Sequence, residues 1–313
     1  MTTTTPPVTA QEPRAAGRRR KPPLSEGARS ERRLGWLLCA PAVIVMVAVT
    51  AYPIGYAIYL SFQRYILSAP QLNKFVGFSN YAAVLSSQFW WHALIVTIVI
   101  TVVSVAVELV LGMLLALLMY RTIFGRGTVR TTMLIPYGIV TIVAAFGWQY
   151  AWTPSTGYLS ALFHNSAPLT NTNEAIAIII SAEIWKTTPF MALLLMAGLS
   201  LVPEDLLKAA KVDGATAWQR FWRIMVPLMK PAILVALLFR TLDAFRIFDN
   251  IFILTNGANN TSSVSMLNYD NLFTGFNFGI GSAMSILILI CVAIIATVFI
   301  RGFGTAAPGS SLQ

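Results

Sequence analysis

The sequence predicts an all-α, polytopic membrane protein with six transmembrane helices and both termini in the cytoplasm. Three observations carry that prediction. Of 313 residues, 56% are hydrophobic and only 11% charged, against about 25% charged in an ordinary soluble domain. Charges this sparse cannot cover a globular surface. Six stretches, at 34–62, 93–119, 130–152, 174–200, 230–255 and 278–301, are long and apolar enough to cross a bilayer, a span needing about 20 such residues. The basic residues then alternate between the segments. The tail holds Arg14, Arg18, Arg19, Arg20, Lys21, Arg29, Arg32 and Arg33; the loop after span two holds Arg121, Arg126 and Arg130. The loop after span four holds Lys208, Lys211, Arg220, Arg223 and Lys230, and Arg301 closes span six, whereas the alternate segments hold only Arg64 and Lys74. Lys and Arg favour the cytoplasmic side, so the +10 net charge points to anionic lipid heads rather than nucleic acid.

Taken in order, residues 1–33 are rich in Thr, Pro and Arg without apolar periodicity, which predicts a disordered basic cytoplasmic tail. The apolar run that follows is too long for a signal-peptide core and lacks a small-x-small cleavage site, so it reads as an uncleaved first span. The transmembrane domain extends over 34–303, with a short cytoplasmic tail at 304–313. Of the external connections, 63–92 carries Phe89, Trp90 and Trp91, suited to a membrane-interface belt. The other, 256–277, mixes Asn, Ser, Thr and Gly with aromatics. It suits either a polyhydroxylated ligand or partner, or a plain solvated loop.

Between spans four and five lies a basic, aromatic strip, "LLKAAKVDGATAWQRFWRIMVPLMKP". Pro203, Glu204 and Asp205 suit a helix first turn. Leu206, Leu207, Ala209, Ala210 and Val212 continue a short helix, which Asp213-Gly214 ends because Gly accepts the left-handed conformation. A second piece places Trp218, Phe221, Trp222 and Met225 on its apolar side. The outcome is a helix–Gly–helix elbow, either a docking surface or an interfacial connector.

Charges inside the spans narrow the functional residues, since each costs about 2.5–3.5 kcal/mol at a helix centre. Span five carries Arg240, Asp243, Arg246, Asp249 and Asn250, with Arg246 able to pair with Asp243 or Asp249 at i±3. These residues form either a polar wall of a translocation path or an interhelical ion-pair network. Span four offers Glu183 and Lys186 at i,i+3 beside Trp185 and Pro189; a sugar-stacking site and an internal salt bridge both fit. Glu108, deep in span two, calls for a basic partner. In span six "GIGSAMS" favours close packing. Cys39, Cys291, His92 and His164 form no metal-ligand pattern. Ser282 with His164 makes a poor catalytic pair, since no Gly-x-Ser-x-Gly elbow occurs. No Gly-x-x-x-x-Gly-Lys-Ser/Thr loop occurs either, so the chain is expected to hold no nucleotide and to be no enzyme.

The elbow, through Ala209, Ala210, Asp213, Gly214, Ala215, Trp218, Phe221, Ile224 and Pro227, resembles the cytoplasmic loop of permease subunits in binding-protein-dependent ABC importers. Lys208 stands where that family usually has Glu. "APAVIVMVAVTAYPIGYAIYLSF", "VGFSNY", "LIPYGIV", "IWKTTPFMALLLMAGL" and "DAFRIFDNIFILTNG" are similar to the sugar-permease branch, closest in wording to trehalose importers. The resemblance implies the type I importer permease fold and, at about 204–213, a coupling helix that seats on an ATPase. It also implies a second homologous permease subunit, two ATPase subunits holding ATP and Mg, an external binding protein and a sugar substrate. A stand-alone ion- or proton-coupled transporter is the competing reading, disfavoured because no inverted repeat is evident.

Overall fold

The computed structural model describes residues 26–121, 126–164 and 167–303. The tail expected before residue 26, the one after 303, and the side chains of Arg121, Arg126 and Arg130 lie outside the described residues. The chain divides into two units, Met1–Ile54 and Gly55–Gln313. In the first, α1 (Glu26–Ser61) begins ahead of the boundary expected at 34. From Leu34 to Ile54 its side chains are exposed except for half-buried Ala40, the kind of apolar surface that lipid or a neighbouring protein covers.

The second unit opens with a two-residue hairpin. β1 (Gln63–Arg64) runs antiparallel to β2 (Lys74–Phe75), with Gln63 opposite Phe75. Then come α2 (Ser79–Ser86), α3 (Gln88–Arg121), α4 (Arg126–Gly138), α5 (Thr141–Ala151), α6 (Tyr158–Leu162) and α7 (Thr172–Leu199). Short α8 (Glu204–Val212) and α9 (Ala217–Arg220) lead through a π-helical turn, Phe221–Met225, into α10 (Val226–Ala244). α11 (Asp249–Leu254), α12 (Val264–Tyr269) and α13 (Phe278–Phe303) follow.

Among the described residues, five helices can cross a membrane by length and composition, with a sixth crossing if the pair α4 and α5, bent by 90°, counts as one. The third expected span is therefore broken, not continuous. Pro136 lacks an N–H and Gly138 follows it, both unfavourable to helix continuation. The exposed carbonyls find a donor in Lys186, whose Nζ lies 2.7 Å from the Ile139 oxygen and 3.5 Å from that of Tyr137. Span five is interrupted as well. α10 stops at Ala244 and α11 starts at Asp249, so Arg246 lies between the two helices and the helical i±3 spacing expected to set it beside Asp243 and Asp249 is lost. α7, by contrast, stays continuous across Pro189.

The core forms where α3, α7 and α10 cross. Met113, Ala116, Met191, Leu195, Leu199, Met229 and Ala236 make one buried cluster there. A Cβ on Gly112 would sit 2.7 Å from Met191 Cγ and 3.3 Å from the Ala192 nitrogen, and one on Gly198 only 2.4 Å from Ala232 Cβ. Glycine is what lets these backbones approach.

The segment over 256–277 is folded onto the domain rather than a bare solvated loop. Ser263 caps α12, its Oγ accepting from Met266 N at 3.1 Å. Val264 N donates to Thr97 Oγ1 at 3.0 Å, and Thr261, Val264 and Met266 are buried. Trp90 likewise leaves the expected interface belt. It is 2% exposed and packs with Val84, Phe245 and Met284, whereas Phe89 and Trp91 stay exposed.

Candidate functional site

Two sites emerge, one at the elbow and one inside the helical bundle. At the elbow, α8 has no buried residue. Its end is locked by paired bonds: Ala215 N to Ala210 O at 2.9 Å and Gly214 N to Lys211 O at 3.2 Å. This is the Schellman arrangement, and it holds Gly214 at φ +81°, where a side chain would be strained. The elbow read from Asp213-Gly214 forms as expected. Thr216 and Gln219 cap α9 reciprocally, a capping box present in the sequence as Thr-x-x-Gln. Phe221 and Met225 then pack into the α3–α7–α10 core, so α8 is joined through α9 and the π-helical turn to the bundle. Lys208, in the place of the family's usual Glu, lies 3.5 Å from Glu204 and 3.7 Å from Asp205. All three are solvated, so these pairs are worth about 1 kcal/mol or less. The helix exposes Leu206, Ala209 and Asp213 on one side and turns Glu204, Leu207, Lys208 and Lys211 toward α3.

Inside the bundle, Arg240 on α10 is fully buried. Its Nε and Nη2 donate to both oxygens of Glu108 on α3 at 2.6 and 2.9 Å. Nη2 also reaches Glu183 Oε1 at 3.2 Å and Thr187 Oγ1 at 3.1 Å on α7, and Nη1 donates to Asp243. Asn250 on α11 donates to Glu183 Oε2 at 2.7 Å. One guanidinium thus ties α3 to α7, with α11 joined through Glu183. Glu108 finds the basic partner it required. Two sequence pairings give way. Glu183 pairs with Arg240 rather than Lys186, which serves the broken backbone instead. Arg246 makes no ion pair among the described residues, because the helix that would have set it three residues from its partners ends at Ala244.

In front of this network opens a polar cavity of about 640 Å³, lined by Glu183, Lys186, Thr187, Asp243, Arg246 and Asp249 together with Asn250. Tyr137, Ile139, Val140 and Thr141, from the α4–α5 break, close its other wall. Arg240 is interior cement, while Asp243, Arg246, Asp249, Asn250, Glu183 and Lys186 face the cavity. Trp185 does not line it; the indole is 41% exposed and meets Trp148 edge-on at 6.2 Å. Sequence reasoning missed Thr187, which the i+4 spacing from Glu183 signalled, and the α4–α5 lining, which nothing short of the bend reveals. Three lining acids face two lining cations, with Glu108 and Arg240 behind them. Such near balance presents donors and acceptors side by side, suited to an uncharged polar solute more than to an ion. Among the described residues no group of His, Cys, Asp or Glu could hold a metal. Ser282 is buried, with no bond to exposed His164.

Residues 76–304 match the family described as binding-protein-dependent transport system inner membrane component. The trehalose transport system permease protein SugA of Mycobacterium tuberculosis is 62% identical over 281 residues, covering 90% of this chain and 92% of the relative. The trehalose/maltose transport system permease protein MalF of Thermococcus litoralis is 39% identical over 280 residues, covering 87% and 94%. A solved bacterial alginate ABC transporter, in complex with an alginate pentasaccharide-bound periplasmic protein, superposes with TM-score 0.74 at 22% identity over 88% of this chain and 96% of the other. These matches leave the stand-alone ion-coupled transporter without support. With a bent third crossing, an exposed elbow leading into a three-helix core and a polar cavity in front of it, the chain belongs to the family of inner membrane components of binding-protein-dependent ABC transport systems.

Proposed function

We propose that this chain is one of two permease subunits in an ATP-driven importer of a disaccharide such as trehalose, set in the inner (cytoplasmic) membrane with both termini inside. Two ATPase subunits carry ATP and Mg, and an external binding protein delivers the sugar. The observation that carries the reading is the elbow. α8 is solvent-exposed yet joined to the core through Phe221 and Met225, so motion of an ATPase seated on it reaches α10 without being absorbed by slack chain. Leu206, Ala209, Ala210 and Asp213 form the seat, their small side chains permitting close approach, and Glu204, Asp205, Leu207, Lys208 and Gly214 keep the helix in place. Lys208, replacing the family's Glu, offsets one of the two charges of Glu204 and Asp205, so the seat depends on shape more than on charge. Displacement of α10 shifts Asp243, and through the following break Arg246, Asp249 and Asn250 move against Glu183 and Lys186. Sugar hydroxyls are met by these groups while Arg240 holds the frame behind them. The 62% identical trehalose permease supports the disaccharide assignment.

The test is ATP-dependent trehalose uptake by vesicles holding the assembled transporter. Gly214→Pro forbids φ +81°, since proline is confined near −65°. Uptake is expected to vanish while the subunit still inserts; uptake at the parental rate would defeat the coupling reading.

A further inference from the structure

A cavity of about 270 Å³ lies between the end of α3 and the elbow. Its polar lining is Tyr120, Glu204, Lys208, Lys211 and Arg220. Glu204 is engaged by Lys208 at 3.5 Å, whereas Lys211 and Arg220 make no ion pair among the described residues. With Lys208 answered by Glu204 and Asp205, the charges of Lys211 and Arg220 leave the cavity positive. The face of α8 involved, Glu204, Leu207, Lys208 and Lys211, follows i, i+3, i+4, i+7 spacing, so it is distinct from the face bearing Leu206, Ala209 and Asp213.

Leu117, Ala217 and Met225 are shared with a second cavity of about 560 Å³. Its lining is apolar. It follows α3 from Leu117 back to Leu109 and is walled by Trp218, Phe221 and Trp222. Those positions on α3 are separated by about 12 Å of helix rise, directed away from the elbow into the apolar span. Trp218 and Trp222 are 70% and 50% exposed, and indoles with one wet and one apolar side settle at the membrane–water boundary. The three rings of Trp218, Phe221 and Trp222 meet at 5.1–6.3 Å, forming a continuous apolar wall.

We propose that the two cavities are one binding site for an anionic phospholipid. Its phosphate is held by Lys211 and Arg220, with the Tyr120 hydroxyl as a further donor, and one acyl chain lies along α3 beside Trp218 and Trp222. Charge complementarity selects this occupant. A neighbouring protein helix would fill the apolar half but leave the cationic half unanswered, whereas a phospholipid carries both chemistries in one molecule. Basic pockets at the cytoplasmic ends of spans suit anionic head groups generally.

The full chain, reconstituted in vesicles of phosphatidylcholine and phosphatidylglycerol, gives a direct reading when the acyl chains of one lipid or the other carry bromine, which quenches nearby indoles. At equal mole fraction brominated phosphatidylglycerol is expected to quench more strongly, and the excess to disappear in the Trp218→Phe, Trp222→Phe variant. Lys211→Gln with Arg220→Gln is expected to lower the preference for phosphatidylglycerol by roughly 25-fold, at about fivefold for each of the two cations near an anionic surface. Quenching by phosphatidylcholine in that variant reports that it remains folded. Equal quenching by the two lipids in the parent chain, or a preference untouched by the double substitution, would overturn the site. So would loss of the excess in the assembled transporter, which would identify a protein neighbour as the groove's occupant. No sugar or nucleotide enters the measurement, so its failure is separable from failure of the transport reading.

Discussion

With no exposed surface, the Arg240 guanidinium gives up its hydration entirely, and Glu108 and Glu183 replace it only while all three stay in place. Removing one member of such a set strands the others, at about 3–5 kcal/mol. Arg240→Met is therefore expected to lower the thermal midpoint of the purified subunit sharply, and unchanged melting would contradict the network. Arg246 differs. It is exposed to the cavity and unpaired, so Arg246→Ala is expected to leave yield and melting alone. Losing one hydrogen bond to sugar, worth about 0.5–1.5 kcal/mol, raises the KM for uptake about 2- to 10-fold; a loss of yield with unchanged KM would make the residue structural. These two arginines look alike in the sequence, both ionised in an apolar run. What separates them is the end of α10 at Ala244, and no local signal marks it. Glu108 was legible as a carboxylate in need of a cation, but its partner is 132 positions away and only packing chooses it.

At the scale of elements, signals confined to a few residues proved readable. Pro203 with two acids opens α8, and Gly214 closes it in the expected left-handed form. The bend between α4 and α5 was not readable, since its apolar run continues through Pro136 and Gly138 and proline does not always break a helix, as α7 shows at Pro189. The bend depends on Lys186, supplied by another helix. Lys186→Met removes the donor to Ile139 and leaves backbone carbonyls unpaired, at about 1–3 kcal/mol. Protease sensitivity near residue 139 is expected to rise in that variant, with Trp148 fluorescence shifting as α5 moves; parental behaviour in both would remove Lys186 from the bend.

For the whole molecule, periodicity and length were enough to place five of the crossings, because hydrocarbon demands internally satisfied backbone and offers few ways to supply it. The first unit and the second differ in what covers them: α1 leaves its apolar side chains exposed up to Ile54, whereas α7 is buried along much of its length. The proposed function puts the energy source on a partner ATPase rather than in an ion gradient. Collapsing the proton gradient with a protonophore, at fixed ATP inside vesicles, is accordingly expected to leave the initial uptake rate unchanged. Uptake that fell in proportion to the gradient would contradict this. Non-helical backbone at 139 and 140 persists at membrane depth only where water or a polar chain reaches it, and here it lines the 640 Å³ cavity. The Ile139 carbonyl keeps its bond to Lys186, but the charged and amide groups around the chamber surrender water when it is emptied, so any solute that enters must itself be wet enough, hydroxyl by hydroxyl, to stand in for the solvent it expels.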